Sequence, residues 1–390
     1  MISSDNDKLL QNRNSLVQAY LILIPLFNII LGVLKWEHAM ITNIVICCLI
    51  ILFARKSYYR GYKASFIFYV LLIIVYYCFP VKSRLETTEF IFYFVLATFI
   101  GTGSYNCEKT LRYVTYASLL VIPFWSDLFL VKSILYKNAD VSMSVAYALF
   151  PMVVAGALHF TYFKNKSNIL LKLCYILDIA ILFQMLLKAN RGLVVAVFVM
   201  IALVYIKGKS KDTIISNARI FRAIIAFVLV LFIVMNIDTV LTFFSDLLNK
   251  LGYTANFLEK TKRLSSDITN GREDIYRYTI DSILKSPVWG YGIDTIYYNS
   301  NRTIEYSHNF ILQLLYDGGI ILFTVIMIPL CKLIKDMFNK IDWERSIYSL
   351  FLFLICVPKM LFTSNLWSNA AFFMMLAYAQ MYINKKDKQI

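Results

Sequence analysis

The sequence predicts an all-α polytopic membrane protein of about twelve transmembrane helices, with both termini cytoplasmic and one large external loop that carries a short amphipathic helix. Three observations point there: the composition, the length of the apolar runs, and the uneven placement of basic residues. Of 390 residues, 59% are hydrophobic and only 16% charged, where soluble domains carry roughly 25% charge. The apolar content excludes intrinsic disorder. Thirteen Gly and seven Pro without a repeat exclude collagen, and seven Cys spread over the chain exclude a disulfide scaffold.

A hydrocarbon core about 30 Å thick takes roughly 17 to 25 helical residues. Twelve apolar runs approach that length: Leu16 to Leu34, Ala39 to Phe53, Ala64 to Val81, Phe90 to Thr102, Tyr113 to Val131, Ser142 to Phe163, Ile169 to Leu187, Gly192 to Ile206, Ala223 to Phe244, Asn309 to Leu330, Ser346 to Phe362 and Leu366 to Ile383. The second, fourth and eighth are short, and only Thr363, Ser364 and Asn365 part the last two, so a count of ten or eleven stays open. Asp5, Asp7, Lys8 and Arg13 precede the first run without a small-residue cleavage site, so this run reads as a retained anchor.

With a cytoplasmic amino terminus, the inner segments hold 22 of the 39 Lys and Arg, in clusters such as Arg55, Lys56, Arg60 and Lys63, or Lys332, Lys335 and Lys340. The short outer loops hold seven. Insertion keeps Lys and Arg inside, which orients the whole chain. The same inner segments contain eight acids, leaving +14 of the net +15 on that face. Nucleic acid is therefore not needed as a partner to explain the basic pI.

The chain then divides into residues 1–244 with spans one to nine, an external loop at 245–307, and residues 308–390 with spans ten to twelve and a cytoplasmic tail. The loop holds eight bases and eight acids, so any anion it binds must be held by particular Arg residues. Long loops of this kind are usually functional or disordered. Within it, Asn270 and Glu273 form a capping-box pattern, and Ile275, Tyr276, Ile280, Ile283 and Leu284 recur at helical spacing until Ser286 and Pro287. A helix from about Gly271 to Lys285, on the membrane face or over the bundle, is expected. In Trp289-Gly290-Tyr291-Gly292 the two glycines predict a tight turn.

Conventional chemistry is sparse. Three His (His38, His159, His308) and no His, Cys and acid cluster at ligand spacing give no expectation of a metal, and no Walker-type glycine loop indicates a nucleotide. No cofactor is therefore predicted. The cysteines within apolar runs, such as Cys47, Cys48, Cys78, Cys174 and Cys356, read as small core hydrophobes. His308, in Tyr306-Ser307-His308-Asn309 at the mouth of the tenth span, suits a general base or an interfacial helix cap. Arg191, with Lys188 just before it, suits anion binding or snorkelling. Arg272 suits anion binding or a solvated position on the loop helix.

Taken in order, Lys188-Ala189-Asn190-Arg191-Gly192, Asn270-Gly271-Arg272 through Pro287 and Gly292, and Ser307-His308-Asn309 through Gly319 resemble the signature of the bacterial O-antigen ligase and polysaccharide polymerase superfamily. The likeness is sharp over residues 188–330 and only topological elsewhere. One departure is Tyr276, where the family often has Trp.

The resemblance implies an enzyme of the bacterial cytoplasmic (inner) membrane, with its site facing the periplasm or exterior. It would transfer a glycan from undecaprenyl pyrophosphate to a sugar hydroxyl. Arg191 and Arg272 correspond to the family's pyrophosphate-binding arginines and His308 to its essential histidine. Lys188, Arg277 and Arg302 could supply the second anionic subsite that a polymerase needs, and Tyr276 and Asn309 join them as substrate-binding candidates. The form of the Ser307 and Trp289 motifs favours an O-antigen or capsular polysaccharide polymerase over an O-antigen ligase acting on lipid A-core. A transporter or flippase would instead line a path with Asp127, His159, Asp178 and Lys359. Membrane lipids, the lipid-linked oligosaccharide and a chain-length regulator are the partners in view.

Overall fold

The computed structural model describes residues 2–36, 41–42, 45–46, 48–49, 52, 64–80, 82–103, 105–130, 139–187, 191–208, 217–235, 272–361 and 365–381. Among these residues the chain is helical and has no β-strand. Its principal helices are α1 (Ile2–Val33), α2 (Ala64–Cys78), α3 (Thr87–Gly101), α4 (Cys107–Tyr116), α5 (Ala139–Phe163), α6 (Ile169–Leu187), α7 (Arg191–Lys207), α8 (Asn217–Met235), α9 (Arg272–Lys285), α10 (Phe310–Met337), α11 (Trp343–Met360) and α12 (Ala370–Met381). Among the described residues, named helices occupy eleven of the twelve apolar runs, and the described residues of the second run are helical as well. Most of the second run, Ala39 to Phe53, the end of the ninth, the first part of the long loop and the tail from residue 382 lie outside the described residues.

Leu9–Val33, Ser144–Lys166 and Phe310–Met337 are long and apolar enough to cross a membrane, and shorter apolar helices such as Ala64–Cys78 and Thr87–Gly101 accompany them. These apolar helices make the chain a membrane protein. α6 shows how: Leu171, Cys174, Asp178, Ile181 and Met185 are buried at helical spacing, while Ile169, Leu173, Ile176, Ile179 and Phe183 are exposed. A helix with one apolar face packed and another apolar face bare is a helix solvated by lipid.

Two runs depart from simple α-helix. α3 contains a π segment at Ile91–Leu96. The fifth run starts as α4, then tightens to a 3-10 helix at Ala117–Phe124 around Pro123 and widens to a π segment at Ser126–Leu130. Proline lacks the N–H that an α ladder needs, so the ladder re-registers there. At its other limit α1 extends back to Ile2, beyond the apolar run, because charged residues are compatible with helix even where they are excluded from lipid.

At the end of the bundle where the basic residues gather, charged side chains tie helices together. Buried Glu108 pairs with Arg112 and with His159 Nε2 at 3.2 Å, and His159 Nδ1 lies 2.7 Å from the Tyr175 hydroxyl, joining α4, α5 and α6. The Lys207 ammonium donates to the Met337 carbonyl at 2.8 Å and to Ser346, and lies over the Trp343 ring, joining α7, α10 and α11. His159 thus has a local role in packing.

α3 and α12 meet backbone to backbone at Gly101, where an added Cβ would collide with the Met374 carbonyl and come 2.9 Å from the Ala377 Cβ. Gly101→Val is therefore expected to cost at least the 1–3 kcal/mol typical of overpacking, roughly. A thermal-unfolding midpoint in detergent unchanged from the parent would contradict this packing.

Candidate functional site

His308 lies in the turn that starts α10, and its backbone is left-handed, with φ 54°. For a non-glycine residue that conformation costs about 1–2 kcal/mol. Neighbouring bonds impose it. Asn309 caps the helix, its side-chain oxygen accepting from the Ile311 and Leu312 N–H groups at 2.9 and 3.3 Å. Ser307, fully buried, donates from its hydroxyl to the Asn309 carbonyl at 2.8 Å, and its N–H donates to Gln313 Oε1 at 3.1 Å. The cap is thus made by Asn309 and not by His308, whose half-buried imidazole lies against the Tyr306 ring with centroids 4.2 Å apart.

The hydrogen bonds continue inward. Gln313 Nε2 donates to Asp317 Oδ2 at 2.9 Å, and the Trp367 indole donates to the same oxygen at 2.5 Å. Asp317 is fully buried. The sequence alone assigns no role to Asp317, Gln313 or Trp367. An acid inside an apolar run was the available signal.

Two residues beyond Asp317, α10 breaks at Gly319, with φ 58° and ψ −157°. Into the break fits the strap Pro287–Ile293. The Tyr291 and Gly292 N–H groups donate to the Tyr316 and Asp317 carbonyls at 2.9 and 2.7 Å, and the Ile320 N–H donates to the Pro287 carbonyl at 2.9 Å. Below, the Ile293 N–H reaches the Tyr76 carbonyl at 3.2 Å, and the Tyr76 hydroxyl donates to the Gly318 carbonyl at 3.2 Å. Gly290, with φ 67°, would bring a Cβ within 2.6 Å of the Asp317 carbonyl carbon and Gly318 nitrogen. The predicted tight turn is thus half of an interlock between two glycine motifs.

α9 begins and ends where the loop helix was expected, within a residue. Ile275, Tyr278 and Ile283 pack with Tyr291, Ile296, Ile304 and Tyr316. Its C-terminal end is tied near Ile320 through Pro287, and Tyr278 lies higher, beside Tyr316, so α9 runs against α10 and directs its first residue, Arg272, toward the end that bears His308. At 100° per residue Arg272 shares a face with buried Thr279. Arg272 and Tyr276 are half-exposed, and Arg277 is exposed. Arg302 is exposed in a turn where it and Asn301 both have positive φ. Arg191 opens α7, but its side chain lies outside the described residues, as do Lys188 and Asn270.

A cation that sequence reasoning missed, Arg84, lies 3.5 Å from Glu305 and 5.1 Å above the Tyr297 ring, while its N–H donates to the Asp294 carbonyl. Asp294 is buried, and its carboxylate accepts from Asn365 at 3.2 Å. Burial pushes Asp294 up to about 6, against the opposing effects of Asn365 and Arg84. Among the described residues no three His, Cys, Asp or Glu side chains gather to hold a metal ion.

Two outcomes follow from this geometry. Gly290→Ala should disorder the strap, seen as new protease cleavage near Pro287; a protected strap would count against the interlock. For Asp294, between its ordinary value of 3.8 and about 6 the folded chain holds a proton that the unfolded chain releases. Stability must fall as pH rises through that window, by at most about 3 kcal/mol. Asp294→Asn should raise the unfolding midpoint at pH 7 and leave it unchanged below about pH 4, whereas equal effects at both would remove Asp294 as the titrating group.

No curated protein and no solved structure matches the chain. The family model described as O-antigen ligase matches residues 176–327, a stretch that contains Arg191, Arg272, the strap, His308 and the Gly319 break. That domain supports the chain's place in the O-antigen ligase/polymerase superfamily.

Proposed function

We infer that the chain is an O-antigen or capsular polysaccharide polymerase, which moves a glycan from undecaprenyl pyrophosphate to a sugar hydroxyl of a second lipid-linked repeat unit. The observation that carries this reading is His308 held in a left-handed turn by its bonded neighbours, with α9 directing Arg272 toward the same end, inside the matched domain. The topology in this reading is about twelve spans with both ends inside, the loop 245–307 outside, and the site facing the periplasm or exterior of a bacterial cytoplasmic membrane. The basic clusters then lie at the cytoplasmic face.

The chemistry runs as follows. The acceptor hydroxyl oxygen attacks the anomeric carbon, its proton passes to the His308 imidazole, and the bond from that carbon to the pyrophosphate oxygen breaks as the carrier pyrophosphate leaves. The donor is already activated, so neither nucleotide nor metal is required. Arg191 and Arg272 meet the departing charge with planar two-pronged donors that stay protonated when partly desolvated. Fixed cations aimed at developing charge are the efficient form of electrostatic catalysis. Lys188, Arg277 and Arg302 serve the second carrier. The described name of the matched domain favours one alternative, an O-antigen ligase that delivers the glycan to lipid A-core.

Gene deletion with gel analysis of surface glycans separates these readings: single-repeat chains support the polymerase, unattached polymer supports the ligase, and intermediates confined to the cytoplasmic face support a flippase. With purified protein and lipid-linked repeat units, polymer should form in excess EDTA. Arg272→Lys and Arg191→Lys should each lower turnover roughly ten- to a hundredfold, the cost of one charge-assisted contact at about 1.5–3 kcal/mol. His308→Ala should lose about 10² to 10⁴ in rate with donor binding intact. A folded His308→Ala enzyme that polymerises at the parental rate would remove the proton transfer.

A further inference from the structure

The strap meets α10 well below its upper end. From Lys332, at the basic end of α10, to Ile320 is 12 residues, or about 18 Å of helix. From Ala64, just past the Arg60 and Lys63 cluster, to Tyr76 on α2 is also 12 residues and about 18 Å. Two helices thus independently put the strap about 12 Å short of the far side of a hydrocarbon core about 30 Å thick. Irregular backbone survives at such depth only when protein satisfies its polar groups. Here the N–H groups of Gly290, Tyr291, Gly292 and Ile293 donate to Ser286, Tyr316, Asp317 and Tyr76.

The exposed side chains agree with that depth. Ile280 is 45% exposed, Leu284 72%, Val288 45% and Trp289 65%, and on α10 Ile320 at 49% and Ile328 at 51% continue the apolar surface downward. On the α9 wheel, counted from Arg272, Ile280 and Leu284 lie at about 80° and 120° and Asp281, Asp274 and Lys285 at about 180° to 220°, so an apolar sector and a charged sector adjoin on the exposed side of the helix. The exposed side of the helix thus changes from apolar to charged within about a quarter turn.

We propose that the strap Pro287–Ile293 is a re-entrant segment in the outer leaflet, with Val288, Trp289 and the Ile280 and Leu284 flank of α9 against acyl chains, and that it forms the wall between the bilayer and the polar site at Asp294, Asp317 and His308. This rests on the orientation given under the proposed function. A lipid-borne substrate then approaches the site alongside this wall without its chain leaving the bilayer.

The test uses the full chain in proteoliposomes, with Cys47, Cys48, Cys78 and Cys331 replaced by Ser and single spin labels introduced. Labels at Leu284→Cys and Val288→Cys should collide with oxygen in preference to a water-soluble nickel chelate, several-fold above Thr303→Cys in the exposed turn and comparably to Ile328→Cys. Asp281→Cys should behave like Thr303→Cys. Labels at Leu284 and Val288 that behave like Thr303 overturn the proposal. Without any label, quenching by brominated lipids should fall when Trp289 is changed to Phe, and equal quenching in both chains also overturns it. The orientation is read separately: a Thr303 label reached by an impermeant reductant only from the cytoplasmic side refutes the topology, while the lipid contact of Val288 is measured regardless of side.

Discussion

The site depends on a helix that is deliberately broken. At Gly319 α10 leaves helical geometry, and the carbonyls of Tyr316 and Asp317 lose partners that an unbroken ladder would supply. In a membrane protein such groups cannot be left to water that is absent. The strap fills the deficit with its Tyr291 and Gly292 N–H groups, and α10 returns a donor from Ile320 to Pro287. Each segment satisfies the other, so neither geometry stands alone. Glycine is required at Gly290 and Gly319 because backbone approaches backbone there, with no room for a Cβ.

Everything else at the site is referenced to this join. It fixes Asp317, whose carboxylate gathers Gln313 and Trp367; Gln313 in turn fixes Ser307, and Ser307 with Asn309 fixes the His308 turn. The join also anchors α9 at its C-terminal end, which sets the direction of Arg272. His308 and Arg272, 36 positions apart in sequence, thereby share one support. Catalytic groups held by bonded neighbours lose less to misplacement than groups on free loops.

Much of the helical plan was legible because lipid imposes a strong one-dimensional signal. α6 occupies Ile169–Leu187 as expected, and α9 was readable from Ile275, Ile280 and Ile283 with the stop at Pro287. The candidate triplet rests on family resemblance alone, since His308, Arg272 and Arg191 each have an ordinary interfacial explanation. What sequence did not disclose were the long-range pairings: Trp367 with Asp317, Asn365 with Asp294, and Arg84 with Glu305. Periodicity reports which face of a helix is apolar and is silent about which neighbour that face meets. It also missed the 3-10 and π segments around Pro123, because the run stays apolar while its register changes.

Among the described residues at the join, the two buried charged side chains are both carboxylates. Asp317 and Asp294 lie in the wall, engaged by neutral donors, while Glu305, Arg84 and Arg272 are exposed or half-exposed. For the diphosphate of the proposed function, exposed guanidinium groups are the useful ones. Guanidinium groups buried behind the acids would spend their hydrogen bonds on protein, whereas exposed ones keep donors for an anion. Asp294, raised by burial to about 6, is still mostly ionised at neutral pH, and the hydrogen bond it accepts from Asn365 holds the segment before α12 to the end of the strap.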